Sequence, residues 1–133
     1  MIKQDVTLSK RLDILLSIPG LGSVTAPGLL IALPELGSLE NKKITSLAGL
    51  AAFNRESGNW RGKATTRGGR RAIPKMLFMP TLVAIRYNRD LAKRYDHLIA
   101  RGKAKMVAIV AVMRKLILTA NALLRNDLSL IHI

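Results

Sequence analysis

The chain has 133 residues, with 22 Lys and Arg against eight Asp and Glu for a formal net charge of +14, which allows one compact domain with a modest core and not two of ordinary size. A surface that basic carries a large positive potential unless a polyanion covers it, so nucleic acid is the leading partner; aromatic residues make up only 4%, which argues against an aromatic-anchored basic helix on a membrane. Cysteine is absent, which excludes disulfides and thiolate metal sites and removes any need for an oxidising compartment.

The N-terminal MIKQDVTLSKRLD is charged and lacks the apolar stretch of a signal peptide, and the longest apolar run, Met106 to Met113, is too short to span a bilayer. A soluble, cytoplasmic protein without membrane contact is expected. Leu8, Leu12, Leu15 and Leu16 recur at helical spacing from about Thr7, predicting a first amphipathic helix that ends near Ser17. IPGLGSVTAP then breaks it at Pro19, Gly20 and Gly22. Ser23 is placed to cap a second helix through Leu29, Leu30 and Leu33, with Pro27 in its first turn. After LPELGS, a third helix is expected from about Glu40 through Ile44, Leu47 and Leu50 to Phe53.

From Asn54 to about Arg71 the apolar periodicity vanishes, and Gly58, Gly62, Gly68 and Gly69 alternate with Arg55, Arg61, Lys63, Arg67, Arg70 and Arg71. A loop that long is uncommon in a compact domain and is usually functional or ordered by its ligand. A helix from about Ile73 to Tyr87 follows, bent at Pro80; Asn88 can cap the next, which places Leu91, Tyr95, Leu98 and Ile99 on one face and stops at Gly102. The last helix, about Ala104 to Arg125, carries Met106, Ile109, Val110, Met113, Ile117, Ala120 and Leu124 along one stripe and reads as the central core helix. No strand-like alternation stands out. The expected fold is all-α, with about six helices.

Two places could carry chemistry. IPGLG between two helices resembles the hairpin of helix-hairpin-helix DNA-binding motifs, in which glycines let backbone N–H groups approach a phosphate; Gly20, Gly22 and Ser23 are the candidates, and a plain packing turn is the alternative. In FNRESGNWRGK, Ser57 sets a hydroxyl between Arg55 and Arg61, followed by a glycine that leaves room for a bulky substrate. A serine attacks a phosphodiester only if something takes its proton and something stabilises the charge that develops on phosphorus. The arginines can supply the second. For the first, neither His97 nor His132 is near in sequence, and Glu56 is adjacent. Turn conformation alone also favours a Ser-Gly pair, so the residues leave Ser57 open between nucleophile and turn. Trp60 could stack on a base or anchor its loop. The acids are scattered with no pair spaced for a two-metal site, so no cofactor or metal is expected within this chain.

IPGLGSVTA, LPELG, LAGLAAFNRESGNWRGK, GGRR, MPTLVAIRYN and RGKAKMVAIVAVMRKLI, in that order from about Leu16 to Leu124, resemble the C-terminal transposase domain of the insertion sequence one-ten family. The FNRxSGxWRG block is the specific part of the match. The resemblance implies a DNA recombinase akin to Piv-type invertases, in which an RNase-H-like N-terminal domain with four metal-binding acids joins a domain bearing a serine, and some members use a guide (bridge) RNA. The family serine falls on Ser57. By that resemblance Ser57 forms a transient phosphoserine link to DNA, with Mg2+ held by the other domain, and the full-length protein assembles as a homo-oligomer. Several departures stand out. The acidic domain does not precede the hairpin here, Pro27, Gly28 and Pro74 replace better helix formers and are expected to weaken their helices, and the tail LSLIHI has no family counterpart.

The expectation is therefore a domain over residues 1–127 with a non-native or disordered tail at 128–133, performing site-specific DNA strand exchange within a larger, nucleoid-associated transposase and inactive alone. Its nucleic-acid contacts would be Gly20, Gly22, Ser23, Arg55, Trp60, Arg61, Lys63, Arg67, Arg70 and Arg71. The alternative is a non-catalytic helix-hairpin-helix module.

Overall fold

The computed structural model describes residues 2–50 and 72–126. Six helices follow in chain order: α1 (Ile2–Leu16), α2 (Thr25–Ala32), α3 (Asn41–Leu47), α4 (Ala72–Tyr87), α5 (Arg89–Ala100) and α6 (Lys105–Arg125). No strand occurs among the described residues, so the all-α expectation holds. α6 is the hub: α1, α3, α4 and α5 all pack on it, while α2 is held against α1 and α4. Met113 and Ile117 of α6 meet Leu15, Leu33, Ile44, Ile73 and Leu77 in one core. Burying a side chain of this kind contributes roughly 1.5–3 kcal/mol, so these few residues outweigh any helix propensity.

α6 buries more than the stripe its sequence suggested, adding Ala108, Val112, Leu116, Asn121 and Leu123, because helices cover it on several sides; at its start Met106 is exposed. By length and composition α6 could cross a bilayer, yet 61% of its most apolar window is buried within the protein, as a core helix requires. α1 begins at Ile2, before the expected Thr7. Its buried residues are Ile14 and Leu15, whereas Leu8 and Leu16 lie outward, so the inward face is rotated from the one expected. On α5, Leu91 is buried and Ile99 is exposed.

The connections are set by local chemistry. α3 stops at Leu47, short of the expected Phe53, because Gly49 takes φ +78 and closes a double C-terminal turn: its N–H donates to the Ser46 carbonyl at 3.0 Å and the Leu50 N–H to that of Thr45 at 2.8 Å. The same pair of bonds ends α5 at Gly102 (φ +89), from Gly102 to Ile99 and from Lys103 to Leu98. Asn88 caps α5 as expected, its side-chain oxygen accepting from the Leu91 N–H at 3.2 Å. Ser23 caps nothing. The residue before α2 is Val24, with no side-chain bond, and Ser23 sits one position too early. Pro27 and Pro74 each occupy the third position of their helix, where an N–H has no intrahelical acceptor, so neither interrupts the bonding. Pro80 lies inside α4, which is helical on both sides of it.

The turn between α2 and α3 is tied down by side chains far away in sequence. Arg11 Nη2 donates to the Leu36 carbonyl at 2.8 Å, and the fully buried Asn121 accepts from the Gly37 N–H at 2.6 Å and donates to the Leu39 carbonyl at 2.9 Å. Arg125 donates to that same Leu39 carbonyl.

Candidate nucleic-acid interface

The turn at residues 17–24 divides its two glycines between different tasks. Gly20 adopts φ +102, and a Cβ there would stand 2.8 Å from the Pro80 carbonyl oxygen and 3.1 Å from Ala84 Cβ. This glycine faces inward, against α4. Leu21 beside it is buried and plugs the turn into the core. Gly22 is the reverse case, with open space where a Cβ would be, and Ser23 and Val24 are exposed after it. Among the described residues the N–H groups of Gly22, Ser23, Val24 and Thr25 meet no acceptor, and the first turn of α2 holds no acid. Four free donors at the positive end of a short helix form a surface suited to an anion.

Ser57, Arg55, Trp60, Arg61, Lys63, Arg67, Arg70 and Arg71 lie outside the described residues. The two ends of that stretch are described. Leu50 is buried after the Gly49 turn, and its carbonyl oxygen accepts from Arg114 Nε at 2.8 Å; on the far side Ile73 is fully buried at the start of α4. Both ends are thus set into the core.

Arg114 was not among the residues singled out by sequence, although it interrupts the apolar run of α6. It is half-buried, and its guanidinium is held below its usual range, first by burial and second by the nearby Arg94 of α5. No acid among the described residues offsets this. Across residues 72–126, eleven Lys and Arg stand against only Asp90 and Asp96, so the field around the pair is strongly positive. The described residues contain no group of three His, Asp or Glu that could hold a metal.

A family model described as Transposase IS116/IS110/IS902 family matches residues 12–96. A pilin gene-inverting protein of Moraxella bovis is 34% identical over 127 residues, covering 90% of this chain and 38% of its own length; its counterpart in Moraxella lacunata is 33% identical over the same span and coverage. An uncharacterized 43.6 kDa protein of insertion element IS110 from Streptomyces coelicolor is 33% identical over 117 residues, 85% of this chain and 28% of the relative. The chain therefore spans well under half the length of these relatives. No solved structure matches it.

Proposed function

Because the chain belongs to the IS116/IS110/IS902 family of transposases, we propose that it is the DNA-handling and serine-bearing part of a recombinase that exchanges DNA strands at specific sites. One observation carries this reading: the family match runs from residue 12 to 96 and so takes in the turn at Gly20 to Ser23, the FNRESGNWRGK block and its flanking arginines. In the proposed step Ser57 Oγ attacks a backbone phosphorus, a P–O bond to deoxyribose breaks as the serine ester forms, and the departing oxygen takes up a proton. A hydroxyl of the partner strand then attacks the phosphoserine and restores the free serine. Arg55 and Arg61 stabilise charge on the phosphoryl oxygens. Lys63, Arg67, Arg70 and Arg71 hold flanking phosphates, Trp60 stacks on the strand, and the open N–H groups of Gly22 and Ser23 add a contact that reads no sequence.

The described residues do not provide a metal site, so no step is derived through a metal. The Mg2+ that the family resemblance implies would be held by residues other than these. By the same resemblance the full-length protein works as a homo-oligomer on nucleoid DNA in the cytoplasm, some members with a bridge RNA, and the present chain alone binds without cutting.

The free donors at the start of α2 also favour a second reading, a binding module in which Ser57 is a turn residue. Binding does not separate the two, since both release counterions and weaken steeply with salt. A covalent adduct does. With the coding sequence upstream of Met1 included and target DNA supplied in magnesium buffer, a protein–DNA link that survives denaturant and vanishes in Ser57→Ala is expected. If the link persists in Ser57→Ala, the serine assignment falls.

A further inference from the structure

The seam between α5 and α6 holds a cationic feature that this reading leaves unused. Arg114 spends Nε on the Leu50 carbonyl at 2.8 Å, which fixes the plane of its guanidinium and leaves the Nη groups as donors with no acceptor among the described residues. Arg94 brings a second guanidinium close by from the exposed side of α5. A partly desolvated cation beside another cation is unfavourable unless an anion completes the set. Asp90 and Asp96, the acids of α5, are both exposed, and neither acts on Arg114.

We propose that Arg94 and Arg114 form a two-guanidinium clamp for one backbone phosphate of a nucleic-acid strand, beside Leu50 on the α5–α6 seam. The proposal rests on the DNA-handling reading. Paired guanidinium forks suit a phosphate because each offers two parallel N–H donors to two oxygens, which an ammonium does not. Since Arg114 is anchored through Nε, its fork is oriented before the ligand arrives and less side-chain freedom is lost on binding. The contact positions a strand without reading its bases.

The test uses the full 133-residue chain with two probes, a labelled 20-base-pair duplex followed by fluorescence anisotropy over a salt series, and inorganic pyrophosphate followed by thermal unfolding at constant ionic strength. Arg94→Gln and Arg94→Lys are both expected to weaken duplex binding about tenfold, Arg94→Gln lowering the salt slope by about one. Lys42→Gln, which removes an exposed cation from α3, is expected to leave the pyrophosphate response intact. Pyrophosphate should raise the unfolding temperature of the unaltered chain and not that of Arg94→Gln. Wild-type duplex binding by Arg94→Lys, or equal stabilisation of the unaltered chain and Arg94→Gln by pyrophosphate, overturns the clamp. Should Arg114→Gln fail to fold because the Leu50 tie is lost, the Arg94 variants still decide. Tight duplex binding that ignores both arginines sinks the clamp and spares the DNA reading, whereas Arg94-dependent pyrophosphate binding without duplex binding does the opposite.

Discussion

Asn121, fully buried on α6, accepts a hydrogen bond from the backbone N–H of Gly37 at 2.6 Å, and through it the turn between α2 and α3 is fastened to the central helix 84 residues further on. Its amide nitrogen donates to Leu39 in the same turn. Both polar ends of a buried side chain are satisfied, which is the condition for tolerating an asparagine in a core. Asn121→Ala strands the Gly37 N–H and leaves a void, while Leu39 keeps Arg125 as a donor. A loss of roughly 2–4 kcal/mol is expected in urea unfolding. A loss below about 0.5 kcal/mol would mean that water replaces the amide at little cost.

Gly20 and Gly102 share a left-handed backbone and differ in what surrounds them. Alanine at Gly102 meets nothing within 4 Å, so only the conformational penalty of about 1–2 kcal/mol applies. Alanine at Gly20 pays that penalty and also drives a methyl to 2.8 Å from the Pro80 carbonyl, pushing the turn off α4. Gly20→Ala is therefore expected to lower the unfolding midpoint clearly more than Gly102→Ala. Equal losses would show that the turn and α4 separate freely.

Ser23→Asp sets stability and binding against each other. A carboxylate at the positive end of α2 stabilises the helix by about 0.3–1 kcal/mol at low salt, yet it places a negative charge where the proposed phosphate contact lies. The expected result is an unchanged or raised unfolding temperature together with several-fold weaker duplex binding by anisotropy. If binding is unaffected, the turn packs helices and touches no DNA.

Thr81 is wholly buried on α4, and its hydroxyl has no hydrogen-bond partner. Such a group carries its desolvation cost with no return, so Thr81→Val, which keeps the shape, is expected to stabilise the chain by about 1 kcal/mol in chemical unfolding. Thr81→Ser keeps the hydroxyl and deletes a methyl, and should destabilise by about 1 kcal/mol. A destabilised valine variant would indicate that the hydroxyl bonds a group in solution.

Much of the fold was legible because its signals are local. Asn88 and Gly102 bracket α5 through bonds that reach only three to five residues, and the apolar run around Met113 announces a core helix whatever it packs against. What failed depended on competition. Leu47, Leu50 and Phe53 continue a helical period past Gly49, but a left-handed glycine that satisfies two carbonyls ends the helix first. Ser23 has the right chemistry for a cap and the wrong position, since α2 starts only at Thr25. Of the candidate site, Gly22 and Ser23 lie on the outside of the turn as a phosphate contact needs, while Gly20 serves the packing against Pro80, a tertiary fact no spacing encodes. Arg114 escaped notice because one charge beside Lys115 on a long helix resembles a solvated edge; only the fold shows that it points at Leu50.

The order in which the helices are made has its own consequence. The segment on which α1, α3, α4 and α5 all pack, Lys105–Arg125, is the last helix to leave the ribosome. Until it emerges, the preceding hundred residues have no shared surface on which to bury Leu15, Ile44, Ile73 or Leu77. Early helices must wait with apolar faces uncovered, the state in which nascent chains are most open to aggregation and to chaperones. A nonsense codon before Lys105 would then yield a chain with no native core, not a smaller working domain.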